Sequence, residues 1–286
     1  MEQAHRQRRV QGHLTGHRLS LGVITRPVGV FDSGIGGLSV LQALRAELPH
    51  QSFVYLADSG HAPYGERDAA HVIARSRALT QHLREAHDIQ ALVVACNTAT
   101  AAAIHLLRQE HPDLPIVGLE PALKPAAQVS RSGRVGVLAT RGTLQSAKFQ
   151  ALHQTLGDQA QYVLQACDGL ADAIEHQDQT RIEALARNYV KALGSFGQAP
   201  EAIDTVVLGC THYPLILPTL QALLGPDVTL VESGAPVARQ TRRVLPQVVE
   251  SGQPQLHWYT TGDATELQAA VQRWLLPQAQ VETLKV

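Results

Sequence analysis

Aromatic residues, cysteines and long apolar runs are all scarce in this sequence of 286 residues. Phe, Trp and Tyr together make up 4% of the chain, so Ala, Leu and Val must supply most of the core. No apolar run approaches the roughly 18 residues that a membrane-spanning helix needs. The basic N-terminus also lacks the apolar centre of a secretory signal. We therefore expect a cytoplasmic protein with no membrane partner.

Neither sign of charge dominates, since 24 Lys and Arg face 25 Asp and Glu for a net charge of −1 with His neutral. That balance argues against nucleic acid as a partner. The three cysteines are an odd number without CxxC spacing, which favours reduced thiols and not a zinc ribbon. We interpret the His-rich residues 1–22 as a mobile extension, with an arm for nucleic acid or a partner as the alternative.

Short apolar runs alternate with longer helical patterns along the chain. This alternation predicts an α/β protein with parallel sheets covered by helices, and continuous apolar strands fit burial on both faces. The predicted strands are 28–31, 52–57, 91–95, 116–118, 134–138, 162–165, 205–208, 229–231 and 257–260. The predicted helices are 37–48, 67–86, 99–110, 143–156, 169–193, 215–224, 234–249 and 264–275.

The chain also repeats itself at two places. The segment "VGVFDSG" at 28–34 is echoed by "VGVLATR" at 135–141, and "LVVACNT" at 92–98 by "VVLGCTH" at 206–212. The similar offsets indicate two α/β halves of the same topology, although short Val-rich strands can also resemble each other by chance. We predict a first domain of 23–119 plus 233–286 and a second domain of 120–232, so the last strand and helix return to the first half.

Two cysteines stand at matching strand-to-helix corners, Cys96 in "VVACNTATA" and Cys210 in "LGCTHYPL". Ligands in open α/β sheets bind beyond the carboxyl ends of the strands, so the two thiols are expected to face one cleft. A helix N-terminus or a nearby histidine lowers the pKa of a thiol. We therefore expect both thiol and thiolate to be accessible near neutral pH, with His212 beside the second cysteine.

Two opposed acids of similar strength suggest removal of a proton from one face of a carbon and delivery of a proton to the other. One sulfur must start as thiolate and the other as thiol. Short polar side chains at the same corners could hold a substrate carboxylate and stabilise developing negative charge. These are Ser33, Asn97, Thr98 and Thr211.

Several other interpretations stay open at this stage. Cys96, Cys210 and His212 could bind zinc, although only a C-x-H pair is local. The glycine-rich "FDSGIGGLS" could bind an anion, but it is neither a dinucleotide fingerprint nor a P-loop. A ligand-binding module with an inactive cleft is the alternative from another class. By themselves, Asp32 could be a helix cap and Glu175 a solvated helical carboxylate, while Cys167 is interpreted as structural.

Five blocks, taken together and in order, resemble the glutamate racemases of the aspartate/glutamate racemase superfamily. They are "VFDSGIGGLSV", "DSGHAPYGER", "VVACNTATA", "EPALKPA" and "LGCTHYPL". The resemblance runs from about residue 28 to the C-terminus. It implies two doubly wound domains related by pseudo-twofold symmetry, with the active site in the cleft between them. It also implies cofactor-independent interconversion of L- and D-glutamate, which supplies bacterial peptidoglycan, and a homodimer.

Residue roles follow from the same resemblance. Cys96 would act on D-glutamate with Asp32 assisting, and Cys210 on L-glutamate beside His212. Glu175 stands at the spacing of the family's accessory glutamate, although the segment "CDGLADAIE" lacks the family's prolines. An aspartate racemase of the same superfamily is the closest alternative. The implied substrate contacts are Asp32, Ser33, Tyr64, Gly65, Asn97, Thr98, Thr211 and His212.

Overall fold

A computed structural model describes residues 26–199, 201–245, 253–276 and 278–286, so the segment 1–22 lies outside the described residues. Strands and helices alternate along these ranges. The strands are β1 Val28–Asp32, β2 Phe53–Ala57, β3 Ala91–Val94, β4 Ile116–Gly118, β5 Arg134–Ala139, β6 Gln161–Ala166, β7 Thr205–Gly209, β8 Thr229–Val231, β9 Leu256–Thr260 and β10 Val281–Thr283. The helices are α1 Leu38–Glu47, α2 Ala69–His87, α3 Asn97–Glu110, α4 Leu123–Val129, α5 Arg141–Gln145, α6 Ala147–Leu156, α7 Leu170–Glu175, α8 Gln179–Leu193, α9 Leu217–Leu224, α10 Gly234–Val244 and α11 Ala264–Trp274.

The named strands form two parallel sheets, which confirms the predicted fold class. The first sheet has the order β10-β9-β2-β1-β3-β4 and the second has the order β6-β5-β7-β8. The run β2-β1-β3-β4 therefore has the same topology as β6-β5-β7-β8, and the sequence echoes fall on β1 with β5 and on β3 with β7. The chain returns to the first sheet through β9, which pairs with β2. The domain boundaries at 119/120 and 232/233 stay a prediction.

Both faces of each sheet are covered, which explains why the central strands are apolar throughout. Val28 and Val30 pack with α1, α10 and α11 on one face of the first sheet, while Phe31 and Val94 pack with α2 and α3 on the other. In the second sheet, Leu208 packs with α7, α8 and α9 on one face. The opposite face packs with α4, α5 and α6. Because helices cover both faces, a ligand can reach each sheet only at the polar ends of its strands.

Two of the predicted helices are each broken into two. Residues 143–156 divide at Ser146, whose extended backbone ends α5 and whose hydroxyl accepts a bond from the N–H of Phe149 at 3.1 Å to begin α6. Residues 169–193 divide after Glu175, where Gln177 has a φ of 56° and Asp178 caps α8. Local capping thus overrides the apolar periodicity that predicted single helices. The sequence also missed α4 and β10.

Within the described ranges, no helix is long and apolar enough to cross a bilayer.

Candidate active site

The two cysteines predicted to face each other lie in one buried region at the carboxyl ends of β3 and β7. Cys96 is 5% exposed and Cys210 is 6% exposed. Asp32 connects the two corners, because its carboxylate accepts bonds from Ser33, which lies beside Cys96, and from Thr211, which follows Cys210. The sheets thus bring together two thiols that lie 114 residues apart in the chain.

Cys96 caps helix α3. Its Sγ accepts a bond from the N–H of Ala99 at 3.5 Å and lies 3.9 Å from the hydroxyl of Ser33. Burial and the charge of Asp32 nevertheless raise the pKa of this thiol well above its ordinary value. The expectation that the helix N-terminus makes a thiolate accessible near neutral pH is wrong for Cys96 in this state, because desolvation outweighs the cap.

Asp32 ends β1 and is fully buried. Its carboxylate accepts bonds from the N–H of Gly37 at 2.5 Å, the hydroxyl of Thr211 at 3.3 Å and the hydroxyl of Ser33 at 3.4 Å. Burial raises its pKa to about 6, against the opposing charge of His212. Asp32 therefore caps the turn before α1 and also lies beside Cys96 as a carboxyl that can hold a proton in mildly acidic solution.

A chain of three side chains accompanies the second thiol. The Nδ1 atom of His212 lies 3.7 Å from Sγ of Cys210, and its Nε2 atom lies 2.7 Å from a carboxylate oxygen of Glu175. Burial by itself lowers the pKa of His212, but the hydrogen bonds to Cys210 and Glu175 outweigh it and raise that pKa well above its ordinary value. The geometry favours an imidazolium held between two acids.

Glu175 is not a solvated helical carboxylate. Its side chain is 11% exposed and also accepts bonds from the N–H of Ile35 at 2.9 Å and the hydroxyl of Ser59 at 3.0 Å. It ends α7 on the second sheet's side and reaches the loop after β1. A Cβ at Gly34 would lie 2.2 Å from its carboxylate, so the glycine permits this approach. The anion that the glycine-rich turn binds is therefore the carboxylate of Glu175, a residue of the protein itself.

Hydroxyl groups from both sheets meet at Thr98, two residues after Cys96. The Oγ1 of Thr98 lies 3.1 Å from that of Thr140 and 3.5 Å from that of Thr143. The sequence prediction missed both Thr140 and Thr143. The echo that aligns "VFDSG" with "VLATR" matches Thr140 to Ser33, a predicted contact residue, and this match was a signal for Thr140. The predicted contact residue Asn97 is 3% exposed, and its Oδ1 is buried with no hydrogen-bond partner. Such an acceptor is open to a ligand's N–H.

Tyr64 and Gly65, the remaining predicted contacts, form a turn where the two sheets approach each other. The Tyr64 hydroxyl donates to Asp58 at 2.5 Å, so that group is engaged within the protein. A Cβ at Gly65 would lie 2.8 Å from the side chain of Thr140, which shows how closely the turn abuts the second sheet's residues.

The alternative zinc site finds no support in the described part of the chain, where no three His, Cys, Asp or Glu side chains are grouped to hold a metal ion. The third cysteine, Cys167, is 2% exposed and packs in the same core as Leu170 and Cys210. Burial raises its pKa to about 12. These surroundings agree with its interpretation as a structural residue.

Comparisons with known proteins agree with this geometry. A model of the Asp/Glu/hydantoin racemase family matches residues 38–241. The glutamate racemase of Ectopseudomonas mendocina (strain ymp) is 48% identical over 263 residues, which cover 89% of this chain and 97% of that protein. The glutamate racemase of Pseudomonas syringae pv. tomato is 50% identical over 221 residues, or 77% of this chain and 78% of that protein.

Two solved structures are similar over nearly the whole chain. Glutamate racemase isoform RacE1 from Bacillus anthracis superposes with a TM-score of 0.80 at 31% identity, covering 91% of this chain and 97% of that one. Escherichia coli glutamate racemase, solved in complex with L-glutamate and the activator UDP-MurNAc-ala, gives a TM-score of 0.76 at 31% identity with the same coverage.

Proposed function

The chain belongs to the Asp/Glu/hydantoin racemase family and is an amino-acid racemase, and we propose that it interconverts L- and D-glutamate through two cysteine thiols. One observation carries the proposal. Cys96 and Cys210 are buried beyond the ends of equivalent strands of two sheets, and Asp32 connects them by accepting bonds from Ser33, which lies beside Cys96, and from Thr211, which follows Cys210. Each has its own acid–base partner, which is what proton exchange on two faces of one carbon requires.

In the direction from L- to D-glutamate, the thiolate of Cys210 takes the α-proton and leaves a carbanion. The thiol of Cys96 then gives its proton to the opposite face. Cys210 ends as thiol and Cys96 as thiolate, so the protein is poised for the reverse reaction. The imidazolium of His212 is the positive charge that a Cys210 thiolate needs beside it, and Glu175 holds that imidazole in place.

Cys96 needs a different source of positive charge, because burial and the charge of Asp32 both disfavour its thiolate. The substrate's α-ammonium group would supply the missing positive charge next to Asp32. The Asn97 amide and the hydroxyls of Ser33, Thr98 and Thr211 are then placed to bind the substrate and to stabilise the developing carbanion, together with the Tyr64-Gly65 turn. We extend the proposal to a cytoplasmic homodimer that supplies D-glutamate for bacterial peptidoglycan.

The test follows the circular dichroism of D-glutamate with reduced protein and no added pyridoxal phosphate. We expect decay to zero, and in D₂O we expect L-glutamate to lose its α-proton as the D-enantiomer forms. Aspartate is the matched substrate because it lacks one methylene, a difference worth about 1–3 kcal/mol in such pockets. Faster turnover of aspartate than of glutamate would overturn the assigned substrate, and racemisation without solvent deuterium uptake would overturn the thiol mechanism.

A further inference from the structure

A fully buried carboxylate lies behind the Tyr64-Gly65 turn. Asp58 follows β2 and is 0% exposed. Its Oδ2 accepts bonds from the Tyr64 hydroxyl at 2.5 Å and from Nε of Arg75 at 2.9 Å. Its Oδ1 accepts bonds from a second guanidinium nitrogen at 2.8 Å and from the hydroxyl of Thr261 at 2.7 Å. A buried charge with this many partners is a rigid anchor.

The anchor connects several distant parts of the first sheet's domain. Arg75 lies in α2, is itself 13% exposed, and donates another bond to the carbonyl of Val286 at 2.8 Å. Thr261 follows β9 and also accepts a bond from the N–H of Gly60 at 3.1 Å. The backbone N–H of Asp58 donates to the carbonyl of Asp32 at 2.9 Å, so the anchor is tied directly to the strand end that carries a proposed substrate contact.

The turn that this anchor holds reaches the other domain. Gly65 lies against Thr140, the partner of Thr98 in the hydroxyl cluster. The carboxylate of Glu66 accepts a bond from the N–H of Gly169 at 3.0 Å. The turn is therefore fixed at its base by Asp58 and meets the second domain at its tip. Its base and tip together define where its backbone lies relative to the thiols.

We propose that Asp58 and Arg75 are positioning residues, which hold the Tyr64-Gly65 turn so that its backbone N–H groups, and not the Tyr64 hydroxyl, meet a carboxylate of the substrate. The inference rests on the proposed racemisation of glutamate. Because Asp58 occupies the hydroxyl, the backbone is what the turn can offer a ligand. Preorganising that backbone saves the cost of ordering it when substrate binds.

The first test replaces Tyr64 by Phe, which removes one of the bonds to Asp58 and leaves both bonds from Arg75. The KM for glutamate should rise about tenfold while kcat stays within about threefold, as expected when uniform binding is lost. Tyr162→Phe is the matched control, since its hydroxyl bonds the carbonyl of Leu123 at 3.3 Å away from the turn, and its KM should not change. An unchanged KM in Tyr64→Phe, or a loss in kcat alone, would overturn the proposal.

The second test compares Arg75→Lys with Arg75→Gln. Lys keeps a charged donor for Asp58 but not the two-nitrogen contact, so KM should rise less in Arg75→Lys than in Arg75→Gln, whereas equal KM values in the two variants would contradict a positioning role. Arg77→Gln is the control on the same helix, because its partner Glu110 lies at the surface. If wild-type protein racemises glutamate and the variants of Tyr64 and Arg75 keep its KM, only this inference fails. If wild-type protein does not racemise glutamate, the proposed function fails first.

Discussion

The two cysteine corners occupy equivalent positions on two sheets of the same topology, yet their surroundings differ. Cys96 is met by neutral groups, since its sulfur accepts a bond from the N–H of Ala99 and donates to the hydroxyl of Ser33, with the carboxyl of Asp32 nearby. Cys210 is met by an imidazole that a second carboxylate supports. Equivalent positions in the fold thus carry the same side chain, while the neighbouring residues give each sulfur different hydrogen-bond partners.

The largest expected effect comes from removing either sulfur. Cys96→Ser and Cys210→Ser should each lower kcat about a thousandfold or more, because a serine hydroxyl is too weak an acid to exchange the proton at neutral pH. Polarimetric or circular dichroism rates in both directions measure the loss. A wild-type rate in either variant would show that the two corners do not act as a pair.

The next effect separates the two corners. Glu175→Gln should lower kcat/KM about a hundredfold by weakening the imidazolium beside Cys210. The fall must be equal in both directions, because the two enantiomers have the same free energy. The primary α-deuterium isotope effect is not bound by that equality. In the proposed mechanism Cys210 removes the α-proton of L-glutamate, so the isotope effect should grow for L-glutamate and shrink for D-glutamate.

Asp32→Asn is the matched variant at the other corner, and it should reverse the asymmetry of the isotope effects. In the proposed mechanism the substrate's α-ammonium group would lose its charged partner beside Cys96, so proton transfer there should slow and removal of the α-deuterium of D-glutamate should limit the rate. Isotope effects that change in the same direction in both variants would assign Asp32 and Glu175 to one shared role instead of to separate corners.

Asp32 should also set a pH dependence of stability. Burial raises its folded-state pKa from 3.8 to about 6, so the folded state binds the proton more tightly than the unfolded chain. The ionised Asp32 therefore lowers the free energy of unfolding of the wild-type protein. This loss is absent below pH 3.8, grows as the pH rises, and is complete above pH 6. Asp32→Asn should gain about 1–3 kcal/mol in free energy of unfolding at pH 8.

Urea denaturation of both proteins at pH 8 and pH 5 measures that difference. The advantage of Asp32→Asn should shrink at pH 5, where the wild-type carboxyl is largely protonated. An advantage for the wild type that grows with pH would mean that Asp32 is stabilised as an anion.

The smallest effect on catalysis is expected at the third cysteine, which has no equivalent in the echoes. Cys167→Ala should leave kcat/KM within about threefold and lower the free energy of unfolding by about 1–2 kcal/mol through the small cavity it leaves. Its thiol is buried in the core and donates to the carbonyl of Gln165 at 3.5 Å. A large loss of turnover would place this sulfur among the groups that move the proton.

The strands were the most predictable part of the molecule. Continuous Val-rich runs bounded by polar corners marked β1, β3, β5 and β7, and the echo between them indicated two halves of one topology. The broken helices were less predictable, because Ser146 and Asp178 cap new helices within patterns whose apolar period continues through the break. Periodicity records which face is buried, but it does not show where the backbone is interrupted.

The residues alone identified the two thiols, their polar neighbours and the strand ends on which they stand, because those features are local in the chain. Only the tertiary structure decided the partners and proton states. Glu175 bonds His212 within the second sheet's half and reaches Ile35 of the first. Asp58 accepts the bond of the Tyr64 hydroxyl, and burial raises the pKa of Cys96, which the helix N-terminus was expected to lower. Desolvation and long-range hydrogen bonds depend on which residues pack around a group. Those residues are distant in the chain, so local sequence patterns do not identify them.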